Sequence, residues 1–388
     1  MRCPACEEHG PRPFLELDSA PIFCNLLSPT PEAARALRRG RVDLCLCRAC
    51  GLIYNAAFDP GALEYEGRYE NALHFSPSFR AYVEELCRDL SERCPPGEKG
   101  VVEIGAGDGF FLGELCRASR SPGVGYDPAF AAERSMLGDS PGVRIIPAMF
   151  EPAHAAGAGL VTCRHVLEHI PEPLSFLRSL RAALDEDTPV FFEVPDADYM
   201  LREGAVWDVL YEHCSYFGAA PLRAAFQRAG FRVERTRSVY GGQFLTILAR
   251  AGSTGEDGRP GAPTPPVHPP VDPNPALAFA EMYRAKVELW TRRLERLGAA
   301  HVALWGAGTK GVCFLNALGP AAAAISAIVD LNPRKWGHCA AGTGHEIVSP
   351  DRLKDLRPHL VIVANPLYRA EITDTLDKLG VAAEVASL

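Results

Sequence analysis

Residues 101–111, Val101-Val102-Glu103-Ile104-Gly105-Ala106-Gly107-Asp108-Gly109-Phe110-Phe111, constrain the fold more than any other stretch of the chain. An apolar strand runs into three glycines at alternate positions and then into a helix start, the opening of an α/β unit. Upstream, Phe79, Tyr82, Val83, Leu86 and Leu90 recur at helical spacing. Downstream, strand-like runs at 123–126, 144–146, 159–162 and 190–194 alternate with helical stretches, which predicts a parallel, doubly wound sheet. Two further runs, 231–239 and 243–250, lack an intervening helix and predict an antiparallel hairpin at the sheet edge.

Residues 252–275 contain eight prolines among several glycines, so helix and central strand are both excluded there and a linker of extended character is predicted. A helix is expected from about Ala276 to Leu297, followed by a second strand–turn–helix start at 301–318 and strands at 324–329 and 360–364. The boundaries expected are 1–62, 63–251, the linker 252–275, and 276–388. The two strand–glycine–helix starts are the one internal repetition the sequence offers.

With 388 residues, two or three packed domains are expected. A net charge of −8 gives no field that would hold a polyanion, which argues against nucleic acid as the partner. No apolar run approaches the length of a membrane span, and the N-terminus lacks a signal-peptide core, so a cytoplasmic protein without membrane association is expected.

The chain holds 13 cysteines, an odd number that argues against a closed disulfide framework. Cys3-x-x-Cys6 and Cys47-x-x-Cys50 are two knuckles, and together they supply the four thiolates of a closed, structural zinc site. Cys45 lies outside a knuckle and ranks below these four. The segment that carries them has almost no apolar period and cannot bury much core unaided.

The turn Gly105-x-Gly107-x-Gly109 differs from the dinucleotide fingerprint, whose third glycine would fall at Phe110. Glu103 ends the strand before it, and Asp127 stands 22 residues after Gly105 at the end of the next strand, where a carboxylate can accept bonds from both hydroxyls of a ribose. This acid-first pattern, with the segment Val161-Thr162-Cys163-Arg164-His165-Val166-Leu167-Glu168-His169-Ile170, closely resembles class I methyltransferases dependent on S-adenosylmethionine (SAM). The resemblance implies that Glu103, Gly105, Gly107, Asp127 and His165 lie on the cofactor side.

The order of knuckles, methyltransferase unit and second Rossmann-like unit resembles the three-domain, zinc-containing sugar C-methyltransferases, whose best-known members act on C-3 of TDP-linked 4-keto-deoxysugars. The likeness includes Trp305-Gly306-Ala307-Gly308-Thr309-Lys310-Gly311, Val329-Asp330-Leu331-Asn332-Pro333, Gly342-Thr343-Gly344 and Asn365-Pro366. It implies an α/β protein with an N-terminal zinc-binding domain, a class I methyltransferase domain and a smaller Rossmann-like C-terminal domain on the substrate side. His213 matches the family's general base, Glu212 the carboxylate beside it, His169 a second active-site histidine, and Tyr69 lies where the family places an active-site tyrosine. The family's sugar enzymes carry a tyrosine two residues before this glutamate; here that position is Leu210, with Tyr211 or Tyr216 as substitutes toward the substrate.

Gly306-x-Gly308-x-x-Gly311, with Asp330 following 24 residues after Gly306, fits a nucleotide fingerprint. Gly306, Gly308 and Lys310 are therefore candidates to meet a sugar-nucleotide pyrophosphate, with a structural relic or an NAD site as alternatives. The function expected is SAM-dependent C-methylation of a nucleotide-activated keto-deoxysugar in specialised-metabolite biosynthesis. The alternatives are O- or N-methylation of a small metabolite, or a zinc-dependent binding protein with a degenerate methyltransferase body.

Overall fold

The structure, a computed structural model, describes residues 2–8, 12–63, 69–138, 140, 142–252, 271–297 and 301–388. Strands β1 (Leu15–Pro21), β2 (Arg39–Leu46) and β3 (Ile53–Asn55) form an antiparallel sheet near the N-terminus. The central unit contributes β4 (Val101–Ile104), β5 (Gly123–Tyr126), β6 (Val143–Ile146), β7 (Leu160–Arg164), β8 (Pro189–Pro195), β9 (Ser215–Tyr216), β10 (Phe231–Val239) and β11 (Phe244–Ala251). Its sheet runs β10-β11-β8-β7-β4-β5-β6, parallel from β8 to β6, with β11 antiparallel to both neighbours. The C-terminal unit adds β12 (Val302–Trp305), β13 (Ile325–Val329), β14 (Ile347–Val348), β15 (Leu360–Val363) and β16 (Glu384–Ser387), all parallel in the order β14-β13-β12-β15-β16.

In both parallel sheets the first strand, β4 or β12, lies inside the sheet with later strands on either side. Crossovers therefore leave in opposite directions at that strand, and the crevice beyond its carboxyl end is where α/β sheets take ligands. The glycine turns after β4 and β12 both open there. Gly311 shows why the second turn needs glycine: a Cβ on it would run into the carbonyl oxygen of Gly306.

The first 60 residues were expected to lack core of their own, and the structure shows how they cope. Along β2, Val42, Leu44 and Leu46 face a core shared with Trp207, Phe314 and Leu315. The alternate Cys45, with Cys47 beyond the strand's end, faces the core of the central unit beside Phe217 and Leu222. This period of two puts each face of one small sheet against a different neighbour. Its fourth strand is β9, borrowed from the central segment: Tyr54 pairs with Ser215 and Ile53 with Tyr216. The residues just before β9, Glu212 and His213, are thereby held against the N-terminal sheet.

The hairpin β10–β11 forms as expected, and β11 carries it into the sheet against β8. The linker call 252–275 falls mostly on 253–270, which lie outside the described residues. Its last two positions need correcting, because the long helix Asn274–Leu297 starts inside it. Pro275 is tolerated there, since the amide that proline lacks has no intrahelical acceptor in a first turn. Among the described residues no helix is long and apolar enough to cross a membrane.

Candidate active site

The cofactor side is built on the turn after β4. Gly105 and Gly107 have φ of +70° and +56°. A Cβ at Gly105 would strike Val166, whereas one at Gly107 would meet nothing within 4 Å, so open space lies directly over the turn. Asp127, at the end of β5, accepts the Gly107 amide on Oδ2 at 2.8 Å and the Ala129 amide on Oδ1 at 2.8 Å. The carboxylate is fixed and each oxygen keeps a free lone pair. Glu103 is placed lower, 2% exposed within β4. His165 has φ of +54°, and its Nε2 lies 3.1 Å from Glu193 Oε1. Against the burial that would lower it, Glu168 and Glu193 raise His165 to about 9.

The second half of the site combines residues from all three sheets' units. Glu212 is fully buried; its Oε1 accepts the Cys24 amide at 2.7 Å and its Oε2 the Tyr69 hydroxyl at 2.8 Å. Asn25 Nδ2 donates to Thr309 Oγ1 at 3.1 Å and toward the Tyr69 hydroxyl at 3.4 Å. Tyr69, Glu212 and the first turn of the helix Thr309–Leu318 are thus tied together. His169 Nδ1 lies 3.1 Å from the carbonyl oxygen of Glu212, an acceptor, so Nδ1 carries a proton there. The rings of His169 and His213 meet edge to face with centroids 4.9 Å apart. Burial and the neighbouring His169 push His213 down to about 3, so its imidazole is neutral across ordinary pH.

The structure takes two expected substrate contacts out of the cleft. Tyr211 is 3% exposed with its ring over Gly40 and its hydroxyl accepting the Asp59 amide at 3.0 Å. Tyr216 points its hydroxyl at Leu210, donating to the carbonyl at 2.9 Å and accepting the amide at 3.1 Å. Both phenols and Leu210 are buried in the core.

In the C-terminal turn, Gly306 has φ of +117° and Gly308 caps the helix Thr309–Leu318 with nothing within 4 Å of a Cβ. Lys310 is ion-paired with Asp208, which draws it toward the central unit. Asp330 accepts the Ala307 amide on Oδ2 at 2.8 Å, so it repeats the part that Asp127 plays at Gly107. Lys335, 3% exposed, donates to Ala307 O at 3.1 Å beside it.

Cys3, Cys6, Cys47 and Cys50 come together with all four sulfurs within 4.8 Å of one another, while Cys45 stays outside the group. Two of the separations are 3.6 Å (Cys3 to Cys50) and 3.4 Å (Cys6 to Cys47). Four bonds of about 2.3 Å in a tetrahedron require roughly 3.8 Å between sulfurs, so the donor set fits a zinc ion.

Several site residues escaped the sequence reading. Arg334 reaches from the C-terminal unit to Asp108 Oδ2 at 2.9 Å and to the carbonyl of Arg134 at 2.9 Å, and Asn332 donates to Glu70 at 2.9 Å. Arg334 directly follows the segment Val329–Pro333 that carries part of the family likeness, and nothing in the sequence foretells its partner 226 residues away. Arg164 is held by Glu193 at 2.7 Å and stacks over Phe111 at 4.4 Å. Beside it, burial pushes the Glu103 carboxyl up to about 8 from an ordinary 4.5, with Arg164 opposing. A folded value above the unfolded one means that Glu103's contribution to stability is full below about pH 4.5 and is lost as pH rises through 8. Glu103→Gln should therefore gain on the wild type as pH rises. The difference in melting temperature should grow by about 3 °C or more between pH 5 and 8.5, and a constant difference would contradict this assignment.

Comparison with known proteins agrees with this geometry. Residues 79–236 match a family model described as a methyltransferase domain, and residues 279–383 one described as the C-methyltransferase C-terminal domain. C-methyltransferase NovU of Streptomyces niveus is 28% identical over 400 residues, covering 96% of this chain and 91% of NovU. A ubiquinone biosynthesis O-methyltransferase of Vibrio parahaemolyticus is 28% identical over 135 residues, 33% of this chain and 55% of that protein. Among solved structures, magnesium protoporphyrin IX methyltransferase from Synechocystis, with bound SAH, covers 45% of this chain and 83% of its own at 17% identity and a TM-score of 0.34. The two family models matched in tandem and a C-methyltransferase aligned along nearly its whole length together support a SAM-dependent C-methyltransferase family for this chain.

Proposed function

We propose that this protein removes a proton from the carbon next to a carbonyl in a nucleotide-activated keto-deoxysugar and methylates that carbon. The observation that carries the proposal is the edge-to-face His169–His213 pair, with His213 neutral, beside the buried Tyr69–Glu212 hydrogen bond at the ligand-binding end of the methyltransferase sheet. SAM, when bound, supplies the electrophilic methyl group. The open space over Gly107 and the fixed carboxylate of Asp127 are what would hold it, with Asp127 accepting from ribose hydroxyls.

In this reading His213 is the base. Because its imidazole stays unprotonated well below neutrality, it can accept a proton throughout the cytoplasmic range. The Tyr69 hydroxyl gives its one proton to Glu212 and accepts from Asn25, so it becomes a donor for the carbonyl oxygen only when it turns from Glu212. The N-terminus of the helix Thr309–Leu318 offers backbone amides at Gly308, a setting that suits a phosphate of the sugar nucleotide. Lys310 enters only if it leaves Asp208. A zinc ion held by Cys3, Cys6, Cys47 and Cys50 would staple the N-terminal sheet, far from any reacting atom in role.

His213→Ala should bind SAM as tightly as the wild type yet lose at least a thousandfold in kcat, measured with the sugar nucleotide that most raises the melting temperature in the presence of S-adenosylhomocysteine. Full activity in that variant would remove His213 as the base. Purified protein should hold about one zinc per chain, and Cys47→Ser should lose both the metal and several degrees of thermal stability. Metal-free protein with four freely titrating thiols would remove the site.

A further inference from the structure

Sequence adjacency makes Glu212 the natural partner of His213, yet its carboxylate is committed elsewhere. Both oxygens are taken, one by the Cys24 amide and the other by the Tyr69 hydroxyl. A different carboxylate occupies the histidines' surroundings. Glu168 is 1% exposed, and one of its oxygens lies within 4.8 Å of a ring nitrogen of His169 and of one of His213, which are themselves within that distance of each other. Neither oxygen of Glu168 has a hydrogen-bond partner among the described residues; its nearest ion partner is His165 Nδ1 at 3.6 Å.

An unpartnered buried carboxylate is costly unless positive charge stands near it or arrives during function. Its backbone is clamped to the base segment, since Cys214 Sγ donates to the Glu168 carbonyl at 3.2 Å and the adjacent His169 contacts the Glu212 carbonyl at 3.1 Å. Those two bonds fix residues 168–169 against 212–214, so the carboxylate cannot drift from the imidazoles. Against the burial that would raise it, His165 at 3.6 Å holds the Glu168 carboxyl below the usual carboxylate range.

We propose that Glu168 is the positioning residue of the base, the buried counter-charge against which the His213 imidazolium forms. This rests on the reading of His213 as the base. In the step, the substrate C–H bond breaks and its electron pair stays with the carbon as an enolate. The proton passes to the ring nitrogen of His213, and the resulting cation faces the Glu168 carboxylate. A neutral imidazole in a buried site is a weak base, because burial opposes its charged form. A fixed anion at this distance offsets that penalty in the transition state, when the charge appears, and not in the resting protein. The other charged or titratable groups around the pair are His165 and His169 on the turn after β7, Glu212, Cys214 and Tyr216 around β9, and Lys310 on the C-terminal helix.

The test compares wild type, Glu168→Gln, Glu168→Asp and His213→Ala as full-length chains, with a TDP-linked 4-keto-6-deoxyhexose as acceptor. Glutamine keeps size and hydrogen-bonding capacity but not charge. Glu168→Gln should lose about a hundredfold or more in kcat with KM and SAM affinity within threefold, and Glu168→Asp should recover at least a tenth of wild-type kcat. A Glu168→Gln enzyme of normal kcat, while His213→Ala is inactive, would overturn the proposal and leave the base intact. An active His213→Ala would instead sink the base itself. A readout without turnover is the histidine ring nitrogen spectrum of labelled protein. Glu168→Gln should shift the His213 ring nitrogens and lower the His165 pKa by a unit or more, and unchanged values for both would overturn the contact. A divalent cation bound stoichiometrically in wild type and lost in Glu168→Gln would also overturn it, by making Glu168, His169 and His213 a metal site.

Discussion

Much of this structure depends on one buried side chain, Glu212, and on the bonds that saturate it. Its carboxylate takes the Cys24 amide from the N-terminal segment and the Tyr69 hydroxyl from the segment that leads into the central unit. Through Asn25 the same cluster reaches Thr309 at the start of the C-terminal helix. A carboxylate this deeply buried is tolerated because hydrogen bonds replace its lost water, and removing either donor would leave an uncompensated polar group. The three units therefore meet at a polar point; His213 stands on the segment that this point immobilises, and His169 is bonded to that segment at the Glu212 carbonyl. Borrowing β9 into the N-terminal sheet fixes the same segment from the other side.

The two glycine turns solve one problem twice. After β4, and again after β12, a carboxylate from the next strand accepts an amide of the turn, Asp127 with Gly107 and Asp330 with Ala307. The environments then diverge. Over Gly107 the space is open, whereas Asp330 has the buried Lys335 at 3.6 Å. Arg334 adds a link between the two turns, because its reach to Asp108 ties the C-terminal unit to the residue next to Gly107.

The parallel sheets were legible because their strands are short apolar runs, and 123–126 comes out at the expected bounds. The N-terminal sheet was not, since Arg39, Gly40, Arg41 and Asp43 interrupt the apolar pattern of β2 and its support lies in two other units. Pro275 looked like a helix breaker and proved a helix starter, a distinction that depends on position and not on residue type. At the site, the glycines, Asp127 and the pair of histidines could be found by motif. What adjacency could not convey is direction: Tyr211 and Tyr216 are buried with their hydroxyls on backbone groups, Glu212 meets Tyr69, and the carboxylate near His213 comes from residue 168.

The central claim is that His213 takes a proton from carbon, and hydrogen exchange tests it without methyl transfer. The protein is incubated in heavy water with S-adenosylhomocysteine in place of SAM and a TDP-linked 4-keto-6-deoxyhexose, and the sugar is then examined by mass and NMR spectroscopy. The account predicts deuterium at the carbon next to the carbonyl, incorporated only with protein and lost in His213→Ala. Methyl transfer to oxygen or nitrogen by a protein that incorporates no deuterium at that carbon would contradict it.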